Sequence, residues 1–467
     1  MMTIKYAKTT VALMVSLLSG CSAFTRSEFQ APEVEVPASW QTVTSEQAVR
    51  IDPWWQVFHD KTLSHYIDEV LAHNSDLALA TLTLQRARLE LGLNRQDFYP
   101  QLSSSTSAST RKPLDGGDRT SSYQTGLSAS YDVDLWGRIS ADVDAAKWRA
   151  MATQEDREST AQSLVATTAS LYWQIGYLKQ RVALGEQNVR DAEQTLALLQ
   201  RQYELGAIAQ LDVLEGQRSL AGLQAQQRRF QQQLAEASNA FAILFDRPPS
   251  NMIEEIPPLP TTLNLPPIRA GVPADLLGRR PDIKAALYQL KAALANQDAA
   301  DLAYFPTLSL TGSVGSASQA LHDLLSNPIG TLGAGLTLPF LQWNRIQINQ
   351  DIAALDYQSA VIRYRQTLYS AFQDVDNALS ARDSYDDQAQ TLQTQYEAAR
   401  QSETLYATRY RYGAISIMEW LNAQENLRNA QAALLENHYS QLVAQVAVYQ
   451  ALGGQDIAPE MSDFSVK

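Results

Sequence analysis

The sequence predicts a mainly α protein that also carries β-strands, patterned as either membrane strands or soluble half-buried ones, built as two repeats. Three observations predict it. A turn motif occurs twice, as Tyr203-Glu204-Leu205-Gly206-Ala207-Ile208 and Tyr410-Arg411-Tyr412-Gly413-Ala414-Ile415. Each copy lies inside a long proline-free span with apolar residues at heptad spacing. Each half also holds short segments of strict apolar–polar alternation, the pattern of a strand with two different faces.

The 467-residue chain is long enough for a large core, and its glutamine- and alanine-rich, modestly charged composition suits helices packed on helices. A net charge of -13 excludes a nucleic-acid partner of the usual kind, because phosphate binding needs clustered Lys and Arg. Cys21 is the one cysteine, so no intrachain disulfide forms.

From the start of the chain, Lys5 and Lys8 precede an apolar run from Val11 to Leu18 and the small residues Ser19-Gly20. This is an export signal, here residues 1–20, too short to stay in a bilayer as a spanning helix. Residues 21–52 read as an extended tether. The first repeat is placed at 53–247. It opens on Trp54-Trp55 and Phe58, aromatics expected to pack the first helix against the body. A β-hairpin is expected over about 101–135, where Leu127, Ala129, Tyr131, Val133 and Leu135 alternate with polar residues. Long helices follow over about 137–246, with Leu164, Thr168, Leu171, Ile175, Leu178 and Val182 on one face. Nine of the 18 prolines fall in 248–281, a linker. The second repeat, 282–454, gives a hairpin over about 307–341 and helices over about 344–452, with Tyr357, Val361, Tyr364, Leu368, Ala371, Val375 and Ala378 at heptad spacing. Residues 455–467 are read as a tail.

Each long helix, at 1.5 Å per residue, would run roughly 100 Å. Two hairpins give four strands, and an open sheet edge is not tolerated in lipid. If the strands are membranous, several chains must pool them, since membrane barrels begin at about eight strands.

The residues at this point resemble the outer membrane factor family, the TolC-like efflux ducts, in their lipoprotein branch. The resemblance rests on Leu18-Ser19-Gly20-Cys21 as a lipobox and on Trp54-Trp55 with Phe58 and Asp60. It rests also on Tyr131-Asp132-Val133-Asp134-Leu135-Trp136-Gly137-Arg138, on Leu276-Leu277-Gly278-Arg279-Arg280-Pro281-Asp282-Ile283, and on the two turns. The resemblance implies a homotrimer with a twelve-stranded outer-membrane β-barrel continuous with a twelve-helix periplasmic α-barrel. It implies a passive exit duct for drugs or other solutes, with a periplasmic adaptor and an inner-membrane pump as partners. It further implies lipidation of Cys21, outer-membrane sorting and no cofactor beyond that lipid.

The same resemblance makes the two turns the periplasmic gate. Asp212 and Glu419 fall on the family's acidic positions, and Tyr410 on its turn tyrosine. Asn422 stands where a second acid is expected and Ile415 where an arginine is, leaving Arg409 and Arg411 as possible substitutes. An acid early in a helix is also what the helix dipole favours, so Asp212 and Glu419 have a purely local reading as well. Gly206 and Gly413 are read as helix-ending glycines. For Tyr203 and Tyr410, packing under the turn is the expected role. Trp136 and Trp343 are open to two readings, a membrane-interface belt or packing where strand meets helix.

An enzyme is not expected. His59, His65 and His73 lack metal-ligand spacing, Asp115, Asp118, Asp132 and Asp134 form no calcium loop, and no phosphate-binding glycine loop is found. The alternatives are a periplasmic adaptor and a structural coiled-coil envelope lipoprotein. The duplication disfavours the first and the alternating segments disfavour the second.

Overall fold

The computed structural model describes residues 26–41, 53–249, 254–260, 263, 265, 268, 271 and 273–454. Cys21, the signal peptide and the tail from 455 lie outside them. The elements are α1 (Lys61–His73), α2 (Ser75–Gln96), β1 (Gln101–Arg111), β2 (Thr120–Val133), α3 (Arg138–Glu204), α4 (Gln210–Leu244), α5 (Pro281–Leu302), β3 (Thr307–Ser318), β4 (Pro328–Thr337), α6 (Trp343–Arg411) and α7 (Ile417–Ala451). The chain divides into two compact units, each assembled from both sequence repeats. Among the described residues no helix is long and apolar enough to cross a membrane.

The first unit holds residues 82–155 and 284–367 together with the start of the chain. Its four strands form one antiparallel sheet in the order β1-β2-β3-β4. The register sorts the side chains by face. Leu102 pairs with Ala129, which pairs with Gly312; Leu127 pairs with Val314, Tyr131 with Leu310 and Val133 with Leu308. Leu332, Ala334 and Leu336 of β4 continue this face through Gly312, Leu310 and Leu308. Successive strand residues point to opposite faces. The other face therefore carries Ser103, Ser105 and Ser107, then Ser128 and Ser130, then Ser309, Thr311 and Ser313. One face is apolar and the other is hydroxyl-rich. Leu102, Leu127, Val314, Leu332 and Leu336 are exposed on the apolar face, and β1 and β4 are exposed along their whole length. β1 is almost all Ser, Thr and Ala, so its strand comes from pairing with β2 rather than from its own apolar pattern.

At the start of α3 the carboxylate of Asp134 accepts from the Ile139 and Ser140 N–H groups at 3.0 and 2.9 Å. It thereby satisfies donors that a helix start leaves unpaired. Ala141 of α3 packs on Ala299 and Leu302 of α5, and Trp148 stacks on Tyr288 with ring centres 5.7 Å apart. Trp136 stacks on Phe305 at 5.0 Å and donates from Nε1 to the Pro306 carbonyl at 2.9 Å. Trp343, its repeat partner, is exposed.

Two apolar rows on α2 and α6 are exposed among the described residues. On α2, Leu79, Leu82, Leu89 and Leu93 are all exposed, in steps of three and four with Arg86 completing the series. On α6, Ile348, Ile352, Leu355 and Ile362 are exposed in the same rhythm. Both helices bury a different row, Leu77 and Leu84 on α2, and Ile346, Tyr364 and Leu368 on α6.

The second unit holds residues 156–283 and 368–467 with 35–81. Trp54 and Trp55, with Leu63, Ile67 and Val70 of α1, pack on Tyr172 and Ile175 of α3, Phe241 and Phe245 near the end of α4, and Val446 and Tyr449 of α7. Asp60 starts α1 by accepting from the Thr62 and Leu63 N–H groups. Its second oxygen accepts from the Tyr172 hydroxyl at 2.6 Å, and burial raises the Tyr172 pKa far above its ordinary value. Arg280 clamps the end of the linker. It donates to Asp282 at 2.7 Å, to Asp374 at 3.1 Å and to the Ala451 carbonyl at 3.2 Å.

Candidate functional site

Both candidate tips lie in the second unit, and both turns are built the same way. The Gly206 N–H donates to the Tyr203 carbonyl at 2.8 Å and the Ala207 N–H to the Gln202 carbonyl at 2.8 Å. The Gly413 N–H donates to the Tyr410 carbonyl and the Ala414 N–H to the Arg409 carbonyl, each at 2.9 Å. These paired bonds satisfy the last carbonyls of a helix and require a left-handed residue between them. Gly206 and Gly413 supply it, with φ of 73° and 69°.

The helices that follow begin differently. Ser416 caps α7: its Oγ accepts from the Glu419 N–H at 3.4 Å, while the Glu419 carboxylate accepts from the Ser416 N–H at 2.9 Å. This is a complete reciprocal box. At α4 the cap position is Ala209, which has no side-chain acceptor. Only the return half is made, from the Ala209 N–H to the Asp212 carboxylate at 3.0 Å. Both acids therefore sit three residues into their helices and fold back onto their own caps. The bonds from Ser416 hold the Glu419 pKa below its ordinary value, with Arg409 adding a smaller pull in the same direction.

The tyrosines of the two turns also diverge. Tyr410 stacks on Trp420 with ring centres 5.1 Å apart and donates its hydroxyl to Gln202 Oε1 of α3 at 2.7 Å. Burial raises its pKa, and Asp212 raises it further. Trp420 Nε1 donates to Glu403 at 2.9 Å. Beneath them Leu199 of α3 packs with Ile417 and Leu421 of α7, flanked by Ile208 and Val213. The second tip is thus tied to the first through one phenol and one small apolar cluster. Tyr203 is 46% exposed and is not packed under its turn, contrary to the expectation for it. Its place is the one where the second repeat has Tyr410, and the two repeats are not interchangeable there.

Arg409, Arg411 and Asn422 are exposed, and Ile415 is half-buried. Sequence reasoning missed Gln202, Leu199 and Trp420 as tip residues. Trp420 carried a signal, since a tryptophan in the first turns of a helix that opens Ile417-Met418-Glu419-Trp420-Leu421 needs a packing partner. Gln202 carried none. Among the described residues no group of histidine, cysteine and acidic side chains is arranged to hold a metal ion.

A sheet with one apolar and one hydroxyl-rich face, joined in sequence to capped helical hairpins, is an arrangement that suits the protomer of a membrane channel. The model of the outer membrane efflux protein family matches residues 66–244 and 272–454, and the chain belongs to that family. It is 32% identical over 462 residues to the antibiotic efflux pump outer membrane protein ArpC of Pseudomonas putida, covering 95% of this chain and 94% of the relative. It is 31% identical over 453 residues to the cation efflux system protein CusC of Escherichia coli (strain K12), covering 94% and 97%. Among solved structures, the open state of the Neisseria gonorrhoeae MtrE outer membrane channel superposes with a TM-score of 0.83 at 30% identity, over 92% of this chain and 98% of that one. The protein is an outer-membrane efflux channel component with a TolC-like fold.

Proposed function

We propose that three copies of this chain form a passive exit duct, anchored by lipid on Cys21 and worked with a periplasmic adaptor and an inner-membrane pump. The observation that carries the reading is the four-stranded sheet, which is apolar on one face, hydroxyl-rich on the other and open at both edges. Such a sheet fits lipid on one side and water on the other, and lipid requires its edges to be paired. Pairing β4 of one copy with β1 of the next closes it. The exposed leucine row of α2 and the exposed isoleucine–leucine row of α6 support a matching helix seam between neighbours. In this reading solutes cross without a chemical step and the pump supplies the energy.

The hairpin tips are proposed as the gate. Tyr410 holds the second hairpin to Gln202 of the first, and releasing that bond opens the tip. Asp212 and Glu419 act first as helix-cap acids and supply negative charge at the mouth as a consequence. With Asn422 and Ile415 in place of an acid and an arginine, closure here relies on the Tyr410–Gln202 bond and the Leu199–Ile417–Leu421 cluster more than on ion pairs. The test is the full chain purified in detergent. A trimer by mass and discrete conductance steps in a planar bilayer are expected. A monomer that never conducts, even with the Tyr410 bond removed, would overturn the reading. Palmitate labelling abolished by Cys21→Ser is expected for the anchor.

A further inference from the structure

A groove in the second unit, above the tips and lined by α3, α4 and α7, has features the duct reading does not use. It has a volume of about 250 Å³ and is lined in part by Arg181, Gly185, Gln227, Phe230 and Arg428. Arg181 is 8% exposed, and its guanidinium lies 4.3 Å from the centre of the Phe230 ring and donates to the Tyr177 hydroxyl at 3.2 Å. Among the described residues no carboxylate lies within ion-pair distance of it. Buried charges are normally paired, and a guanidinium offers five donors. Ring stacking offsets part of the cost without neutralising the charge.

Gln227 is 7% exposed, and neither its Oε1 nor its Nε2 has a hydrogen-bond partner. Its amide rests on the bare backbone of Gly185, where a Cβ would overlap Oε1. A glycine inside a long helix is unfavourable relative to alanine. An unpartnered buried amide adds the desolvation cost of its polar atoms. Arg428 faces the same space from α7, with Glu425 and Asp191 as its charged neighbours, and burial lowers its pKa. The remaining acid of the lining, Glu215, is engaged by Arg218 at 2.7 Å. One buried guanidinium without an ion-pair partner among the described residues, a second guanidinium and one amide without a partner thus share one small polar groove.

We infer that this groove binds a small oxyanion, a carboxylate or a phosphate, held by Arg181 and Arg428 with the Gln227 amide as a third donor. The anion supplies the missing counter-charge and gives the amide its acceptor. Because the groove joins α3, α4 and α7, occupancy braces the first hairpin against the second.

The experiment uses the full-length protein in detergent, with sodium phosphate and sodium succinate in separate arms and sodium chloride at matched ionic strength as reference. Saturable heat of binding and a saturable rise in Tm are expected for phosphate, succinate or both, and the arm that responds names the source of the oxyanion. Arg181→Gln is expected to weaken binding at least tenfold and Gln227→Leu several-fold. Gln227→Leu replaces an unpartnered amide with an apolar side chain, so it keeps the fold and decides the matter if Arg181→Gln does not fold. No saturable response beyond chloride in either arm, or equal affinity in both variants and the parent, overturns the proposal.

Discussion

Tyr410 shows how much one hydroxyl can carry at the tip. Its ring is already placed by Trp420, so Tyr410→Phe removes the Gln202 bond and little else. A hydrogen bond of this kind contributes about 0.5–1.5 kcal/mol net, a shift of several-fold in a closed–open balance. Higher open probability in planar bilayers is expected for Tyr410→Phe, and no change for Tyr203→Phe, whose ring is exposed. Glu419 makes a different prediction. Its pKa is depressed in the folded tip, so the contribution of its cap bonds is complete above the ordinary glutamate value of 4.5 and is lost as pH falls through the lower folded value. Amide exchange protection at the start of α7 should therefore be level from pH 8 to pH 5 and should drop only below that range. A loss between pH 7 and pH 6 would point to a different group.

The two hairpins are copies with unequal ends, and besides the turn tyrosines they differ in the cap residue of the helix that follows. Ser416 completes the cap of α7, while Ala209 leaves α4 with half of one. Ala209→Ser is expected to add about 0.5–2 kcal/mol to the first tip. Slower amide exchange over the first turn of α4 would report it, and Ser416→Ala should speed exchange at α7. The exposed rows of α2 and α6 carry the other element-scale prediction. Leu89→Lys or Ile352→Lys places a charge in a row that the proposed trimer buries. Each is expected to lower the trimer fraction in detergent while leaving helix content unchanged by circular dichroism. Much of this was legible in the sequence because periodicity survives in single residues. The heptad from Tyr364 through Leu368, Ala371 and Val375 is buried as its spacing predicts. The β2, β3 and β4 alternation maps onto one sheet face. What was not legible depends on contacts between distant residues. Gln202 meets Tyr410 across 208 positions, and Gln227 meets Gly185 only once the helices are packed. The exposure of Tyr203 could not be read from a motif whose other copy is packed.

For the molecule as a channel, the decisive assignment is which sheet face meets lipid and which meets water. Leu127 and Ser128 are neighbours in β2 on opposite faces, so they test it with the smallest possible change of position. If the apolar face meets lipid, Leu127→Arg puts a charge into hydrocarbon at a cost of about 2–4 kcal/mol near the bilayer midplane. That is a large share of the roughly 5–15 kcal/mol by which folded proteins are stable. Poor insertion and a reduced yield of folded trimer are expected. Ser128→Arg puts the same charge on the hydroxyl-rich face, in water, at little cost to folding. The proposed trimer would carry three such charges around one lumen, so unit conductance should fall and selectivity should move toward anions. The two variants must differ in kind, one in assembly and one in conduction. Equal folding defects would mean that both faces are buried against protein. Equal tolerance with unchanged conductance would mean that neither face lines a pore. Either result would return the sheet to the class of soluble half-buried structures, from which its alternation alone does not distinguish it.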